Sequence, residues 1–330
     1  MTDAACRIVR ADRGDAGRRL DLVLRRHLTD VRAATRTRVQ AWIENGLVTV
    51  NGIPVHRVAV RTAVGDVVSV VLPDLAREPM AAEDVALQVL YEDDYLLAID
   101  KPAGVVVHPA HKNPSGTLMN GLLWHARAWP SPQRPSLVGR LDKLTSGIVL
   151  VAKTAAIHAS LQKTLISIGT GKDYLAVVYG RVNVARGDID LQLRRDPGDR
   201  RRVVASEDLG APSLTRFERL ARVSAPASGL SLLRCRLVTG RTHQIRVHLA
   251  ARGWPLVGDP TYGEPRWRQV NDPALAAVLR EFPRQALHAW RLTTQHPVTR
   301  AELRIEAPIP DDLQSLMTAA GLHERATAWR

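Results

Sequence analysis

Apolar and polar positions recur with two different periods along this chain, and the change of period divides it. From Arg18 onward Leu20, Val23, Leu24 and Leu28 fall at helical spacing, and a second helix is predicted over Thr35 to Asn45. Val39, Trp42 and Ile43 form its apolar face and Gly46 its stop. Leu47 to Val50, the turn Asn51-Gly52, and Ile53 to Val55 predict a β-hairpin, followed by a strand over Val67 to Leu72. Residues 73 to 86 hold two prolines and no sustained period, so the chain breaks there. The expected division is a flexible arm over 1–14, a small domain over 15–75, a linker over 76–86 and a large domain over 87–330.

In the large domain Leu87 to Tyr91 and Tyr95 to Ile99 read as two strands joined by the acidic turn Glu92-Asp93-Asp94. A helix is predicted over Thr117 to Arg127. Ile148 to Val151 is an unbroken apolar, β-branched run and reads as a buried strand. A helix over Ala155 to Ile168, with Leu161 and Leu165 inward, leads to a strand over Lys172 to Tyr179. Further strands are expected over Asp188–Leu193, Ser213–Leu220 and Leu230–Val238. Two more lie within 286–307, and a closing helix spans Asp311 to Ala320.

Composition narrows the function. A hydrophobic fraction of 45% suits a folded protein, and a net charge of +13 with a pI near 10.6 suggests a polyanionic partner. Only six of the 46 basic residues are Lys, so part of the Arg excess is compositional; that bias does not by itself create an excess over Asp and Glu. No apolar run of about 18 residues is present, which argues against a membrane span. Charges occupy the N-terminus where a signal peptide needs an apolar core, so a cytoplasmic protein is expected. Cys6 and Cys235, far apart, support neither a disulfide framework nor a cysteine metal site.

Candidate chemistry centres on residues 139 to 154, GRLDKLTSGIVLVAKT. Gly139 and Gly147 bracket a polar cluster holding one carboxylate, Asp142, just before the buried strand. By residue type alone two readings stay open: a catalytic group on a loop held by a rigid strand, or an ordinary turn with Asp142 capping amides. Thr239 to Gly253 reads as a strand-to-helix passage whose helical spacing groups Thr242, Ile245, Arg246 and Leu249. An inward Arg246 asks for a buried carboxylate, and Asp142 is available. His243 and His248, five apart, do not align on one helical face, so no metal is expected there. Arg36 and Arg38 lie in the first turn of a helix, where cations are unfavourable, and so ask for another purpose. Arg194 to Arg202 is turn-forming and dense in Arg, which by residue type fits a solvated hairpin tip.

The segment GRLDKLTSG resembles the (H)RLDxxTSG stretch of the RluA/RluD-type pseudouridine synthases. YEDDYLLAIDKPAGVVVHP before it and KDYLAVVYG, TGRTHQIRVHLA, PLVGDPTYG and RQALHA after it also occur in that family's order, and the resemblance covers roughly residues 15 to 310. Two positions depart from the pattern: Gly139 stands where the family usually has His, and Leu144 where an acidic residue is common. The resemblance implies an α+β fold with a mixed, mainly antiparallel central sheet, flanking helices and a cleft, plus a small N-terminal α/β domain of the αL RNA-binding type. It implies Asp142 as the catalytic carboxylate, Arg246 as its cationic partner and Tyr174 as a platform for the base. RNA contacts are expected from Arg140, Arg241 and His243 at the cleft, from Arg18, Arg19, Arg36 and Arg38 in the N-terminal domain, and from Arg200 and Arg201 in the Arg-dense loop. The isomerisation of uridine needs no cofactor. The expected partner is ribosomal RNA of the large subunit, with tRNA second, and a monomer is expected. Two rival readings remain: a binding-only protein, kept open by Gly139, and a hydrolase pairing Asp142 with His108 or His243.

Overall fold

In the computed structural model the described residues are 6–31, 34–72, 80–109, 113–165, 170–199, 201–224 and 229–322. The chain forms two compact units, Met1–Met80 and Ala81–Arg330.

The first unit contains β1 (Cys6–Arg10), α1 (Leu20–His27), α2 (Arg36–Glu44), β2 (Val48–Val50), β3 (Ile53–Pro54) and β4 (Val67–Val71), with sheet order β1-β4-β2-β3. The two helices bury Leu20, Leu24, Val39, Trp42 and Ile43 against Val48, Val68 and Val70 of the sheet. Asn51 and Gly52 both have positive φ (52° and 82°), the backbone that a two-residue hairpin of this hand requires. The expected arm needs correction: Cys6–Arg10 pairs antiparallel with β4 along its whole length. Only Val9 of that edge strand is buried, so its order comes from ladder hydrogen bonds and leaves no hydrophobic alternation to read. Residues 1–5 of the arm lie outside the described residues.

The second unit contains β5 (Gln88–Glu92), β6 (Leu96–Lys101), α3 (Leu118–His125), β7 (Ser136–Val138), β8 (Ser146–Ala152), α4 (Ala155–Thr164), β9 (Gly171–Tyr179) and β10 (Arg186–Arg195). After these come β11 (Val203–Ser206), β12 (Ala211–Val223), β13 (Leu230–Leu237), α5 (Gln244–Ala251), α6 (Pro273–Glu281), β14 (Leu287–Gln295), β15 (Glu302–Glu306) and α7 (Asp311–Ala319). The sheet order is β11-β10-β12-β13-β9-β14-β8-β6-β5, with β15 added on β14 and β7 on β8. All pairings are antiparallel except β8 with β14. The α+β expectation with a mixed, mainly antiparallel sheet is therefore met. Strands β7 and β11 and helix α6 were not predicted. The end of the helix expected to reach Ile168 falls at 166–168, outside the described residues.

Helices cover both faces of the sheet, so the central strands are apolar on both sides. On one face Val149, Val151, Tyr174 and Ala176 pack with Leu118 and Leu122 of α3 and Ile245 and Leu249 of α5. On the other, Leu175, Val177 and Tyr179 pack with Leu275 and Leu279 of α6 and Leu313 and Leu316 of α7. Gly147, with φ 109°, is where the parallel pair comes closest: a Cβ there would lie 2.2 Å from the Ala289 carbonyl oxygen. The linker expectation also needs correction. The Glu83 amide donates to the Asn120 carbonyl (3.1 Å), Asn120 Nδ2 donates to the Ala81 carbonyl (2.8 Å), and Glu83 accepts from the Gly116 amide (2.8 Å). Residues 81–86 thus belong to the second unit, docked on α3, and 73–79 lie outside the described residues. The segment lies against Gly121, where a Cβ would come within 3.0 Å of Val85 Cβ.

Two histidines sit within this core. Ser146 Oγ and His288 Nδ1 are 2.9 Å apart, and Ser213 Oγ and His248 Nε2 also 2.9 Å. Burial holds both imidazoles at a pKa of about 4, below the ordinary 6.5. Because the folded pKa is the lower one, the unfolded chain binds more protons between these values. Their contribution is complete above pH 6.5 and is lost as pH falls toward 4. Urea unfolding followed from pH 7 to 4.5 should show that loss. His288→Asn should make the profile less steep, and an unchanged profile would place the acid sensitivity elsewhere.

Candidate active site

Asp142 lies on the loop between β7 and β8, and that loop is fastened from beneath. The Thr145 amide donates back to the Asp142 carbonyl (3.1 Å), and Gln285 Nε2 holds Thr145 Oγ1 (3.0 Å). Lys101, fully buried at the end of β6, donates to the carbonyls of Pro102 (2.8 Å), Val105 (3.1 Å) and Lys143 (3.2 Å). Its ammonium therefore joins the 101–105 turn to the residue after Asp142. Burial, then the Arg284 charge, lowers its pKa to about 8, against the opposing pull of Asp142 and Asp100. Sequence reasoning had assigned Lys101 no role.

Arg246 reaches the loop from α5, 104 positions away: Nη1 donates to Asp142 Oδ2 at 2.9 Å. The expected pair exists, but Asp142 is the lesser partner. Nε and Nη2 of Arg246 form a bidentate pair with Asp259 at 2.7 and 2.8 Å, and the Asp259 side chain is wholly inaccessible. The amides of Thr261 (2.8 Å) and Tyr262 (3.0 Å) also donate to Asp259. Burial raises the Asp259 pKa, but the Arg246 hydrogen bonds and charge lower it further, so the net shift is down. Asp259 is thus the fixed counter-ion, and it aims the remaining Nη1 at Asp142. Sequence reasoning missed it, although PLVGDPTYG contained an Asp before Pro, a residue pair that starts turns.

Tyr174 rises from β9 under the same cleft and is almost fully buried. Burial, then the Asp142 charge, pushes its phenol above the ordinary value, so it stays protonated. His243 is not helical: it precedes α5 in the left-handed region (φ 56°). Its Nδ1 meets the Tyr262 hydroxyl at 2.8 Å, and that hydroxyl accepts the Val203 amide at 2.9 Å. The other ring nitrogen, Nε2, faces Asp142 Oδ2 at 3.8 Å. Burial, partly opposed by Asp142, lowers the His243 pKa. The proposed helical stacking of Thr242 needs correction, since α5 starts at Gln244. Thr242 instead accepts Arg140 Nη2 at 2.7 Å, which links the rims of the cleft.

Asp142, Tyr174, Arg246, Arg140, Arg241 and His243 all line one cleft of about 570 Å³, and His108 lines it too. Arg140 and Arg241 are exposed at its mouth. The other expected RNA contacts are more varied. Arg19 is held by buried Asp21 (3.0 and 3.2 Å), and Arg36 lies 4.0 Å from the same carboxylate. Asp21 thus explains a cation in the first turn of α2. Arg18 is exposed and Arg38 half-buried; neither side chain has a carboxylate partner among the described residues. Arg201 closes on Asp199 at 2.9 Å within the turn joining β10 and β11, a hairpin tip. Arg200 lies outside the described residues. Among the described residues, one group of carboxylate and histidine side chains is close enough to share a cation: Asp12, Asp15 and His27. Arg26 already donates to both carboxylates there (2.8 and 2.7 Å).

Residues 95–251 match the family model described as RNA pseudouridylate synthase. A ribosomal large subunit pseudouridine synthase D from Xylella fastidiosa is 42% identical over 310 residues, covering 93% of this chain and 90% of the relative. The protein of the same name from Pseudomonas aeruginosa is 40% identical over 288 residues, covering 86% and 87%. Among solved structures, human RNA pseudouridylate synthase domain containing 1 superposes with a TM-score of 0.54 at 27% identity, over 73% of this chain and 90% of the other. With about nine-tenths of such relatives matched at about 40% identity and the carboxylate, arginine and tyrosine of these segments brought into one cleft, this chain belongs to the RluA/RluD family of RNA pseudouridine synthases.

Proposed function

We propose that this protein converts uridine to pseudouridine in ribosomal RNA of the large subunit, with Asp142 as the catalytic carboxylate. The reaction breaks the N1–C1′ bond, rotates the uracil and joins C5 to C1′; the C5 proton is lost and N1 regains one. Atoms and electrons balance without a cofactor. The observation that carries the reading is the position of Asp142: a carboxylate in an open cleft, oriented by an arginine whose own charge is answered by Asp259. Such an arginine holds the carboxylate in place without consuming it. Tyr174 supplies a protonated, buried ring at the cleft floor for the detached base. The target base must leave its stack to enter, and exposed Arg140 beside Asp142 offers a guanidinium plane to replace it. The names of the curated relatives support large-subunit ribosomal RNA over tRNA. A monomer acting in the cytoplasm completes the proposal.

RNA bearing tritium at uridine C5 tests this. Release of tritium with the base retained in the chain is the expected result. Free uracil would instead indicate a hydrolase using Asp142 and His243 or His108, and binding without release a catalytically silent protein.

The first unit is proposed as an RNA-binding domain on the strength of Arg18 and Arg38, cations without a carboxylate partner among the described residues. The double substitution Arg18→Ala with Arg38→Ala should weaken binding and lower the slope of log affinity against log salt by about 1.4 to 1.8, the counterions of two phosphates. An unchanged slope would remove the unit from the RNA interface.

A further inference from the structure

Among the described residues of the second unit, the buried and half-buried Lys and Arg side chains are answered, with one half-buried exception. Lys101 has three carbonyls, Arg246 has Asp259 and Asp142, Arg236 has Asp173 at 2.7 and 2.8 Å, and Arg284 has Asp312 at 2.6 and 2.7 Å. Lys153 has Glu92 at 2.8 Å. Lys172, the second residue of β9, has no hydrogen-bond or ion-pair partner among the described residues. It stands two residues before Tyr174, so both side chains leave the strand on the same face, and both line the cleft. Burial lowers its pKa, and no carboxylate opposes the shift. An unpaired ammonium in such a place is costly.

Residue 139 explains why the ammonium is uncovered. Gly139 has φ 91°, and a Cβ built there would sit 3.4 Å from Lys172 Nζ. Any longer side chain at 139 would spread over the ammonium and take up the space in front of it. Glycine leaves that space open, immediately before Arg140 and three residues before Asp142. Asp142 itself is engaged by Arg246 and is not what Lys172 waits for.

Resting on the reading of the cleft as an RNA site, we propose that Lys172 is a phosphate contact for the RNA strand at the Gly139 edge of the cleft. An RNA chain offers full negative charge only on its phosphates, and a compact ammonium binds phosphate as a point charge. Gly139 serves the contact by exposing the ammonium, so this position selects how the strand is held beside the target nucleotide.

Lys172→Met, nearly isosteric, separates this role from a structural one. The experiment uses the full chain, large-subunit ribosomal RNA transcribed in vitro, binding across a salt series, and thermal unfolding. Removing an unanswered charge should leave the melting temperature equal or higher. Affinity should fall, and the slope of log affinity against log salt should drop by about 0.7 to 0.9, one phosphate's share. Lys172→Arg should recover the slope. Gly139→Ser should reduce affinity in the same direction by covering the ammonium. A lower melting temperature for Lys172→Met would make Lys172 part of the fold and overturn the proposal. Reduced affinity with an unchanged slope would place the contact on a neutral base atom and overturn it too, as would unchanged binding. If the parent protein itself neither binds this RNA nor releases tritium, the reading of the cleft fails first.

Discussion

Asp142→Asn should abolish turnover and leave both fold stability and RNA affinity close to those of the parent. The amide keeps the shape of the carboxylate, and its oxygen still accepts Arg246 Nη1. Arg246 does not become an unanswered charge, because Asp259 holds its other two nitrogens. The loop also stays fastened through Lys101 and Gln285, neither of which touches the Asp142 side chain. The substitution therefore removes charge at the reacting position with little else disturbed. Single-turnover tritium release and urea unfolding on the same preparation check both halves. Release near the parent rate would remove Asp142 from the chemistry. Lost release accompanied by a large loss of stability would contradict the geometry described.

The second large effect is asymmetric. Arg246→Met leaves buried Asp259 without its cation and should cost about 3 to 5 kcal/mol of stability, together with nearly all activity. Asp142→Asn should cost far less, since its side chain is 24% exposed and Arg246 survives its loss. Coupling measured by double-mutant cycles should follow the same order. Arg246→Met with Asp259→Asn should be much more stable than the two losses summed, whereas Arg246→Met with Asp142→Asn should be nearly additive. Equal coupling to both carboxylates, or stronger coupling to Asp142, would show that the arginine is anchored differently. The expectation that Asp142 answers the inward Arg246 is thus refined to a hierarchy in which Asp259 anchors and Asp142 is presented.

Much of the architecture was legible where local pattern and tertiary burial agree. The β8 run is apolar because helices cover both faces of the sheet, and the Asn51-Gly52 turn is readable because few residues accept its backbone. Edge strands left weaker traces. In β1 only Val9 is buried, and β11 is a four-residue strand closing an Arg-rich turn. Their hydrogen bonds are made by backbone atoms, which every residue but proline carries alike.

The candidate site residues divide along the same line. Asp142, Tyr174 and Arg246 were singled out because each lies in a segment whose wording resembles a known family, and the need of an inward arginine for a carboxylate is a local argument. The identity of the dominant carboxylate was not local. Asp259 lies thirteen positions beyond Arg246, on a turn whose amides orient it, and nothing in the spacing distinguishes it from other acidic residues. The roles of Lys101 and Gly139 were equally hidden, since one depends on three carbonyls converging and the other on where a lysine from another strand ends. By itself the sequence determined the period of each main element, the basic balance of the chain and the residue types capable of the chemistry, because these are properties of neighbours along the backbone. Only the tertiary structure decided which charge answers which and which one is left open to a substrate, because pairing depends on distances between segments that the linear order does not contain.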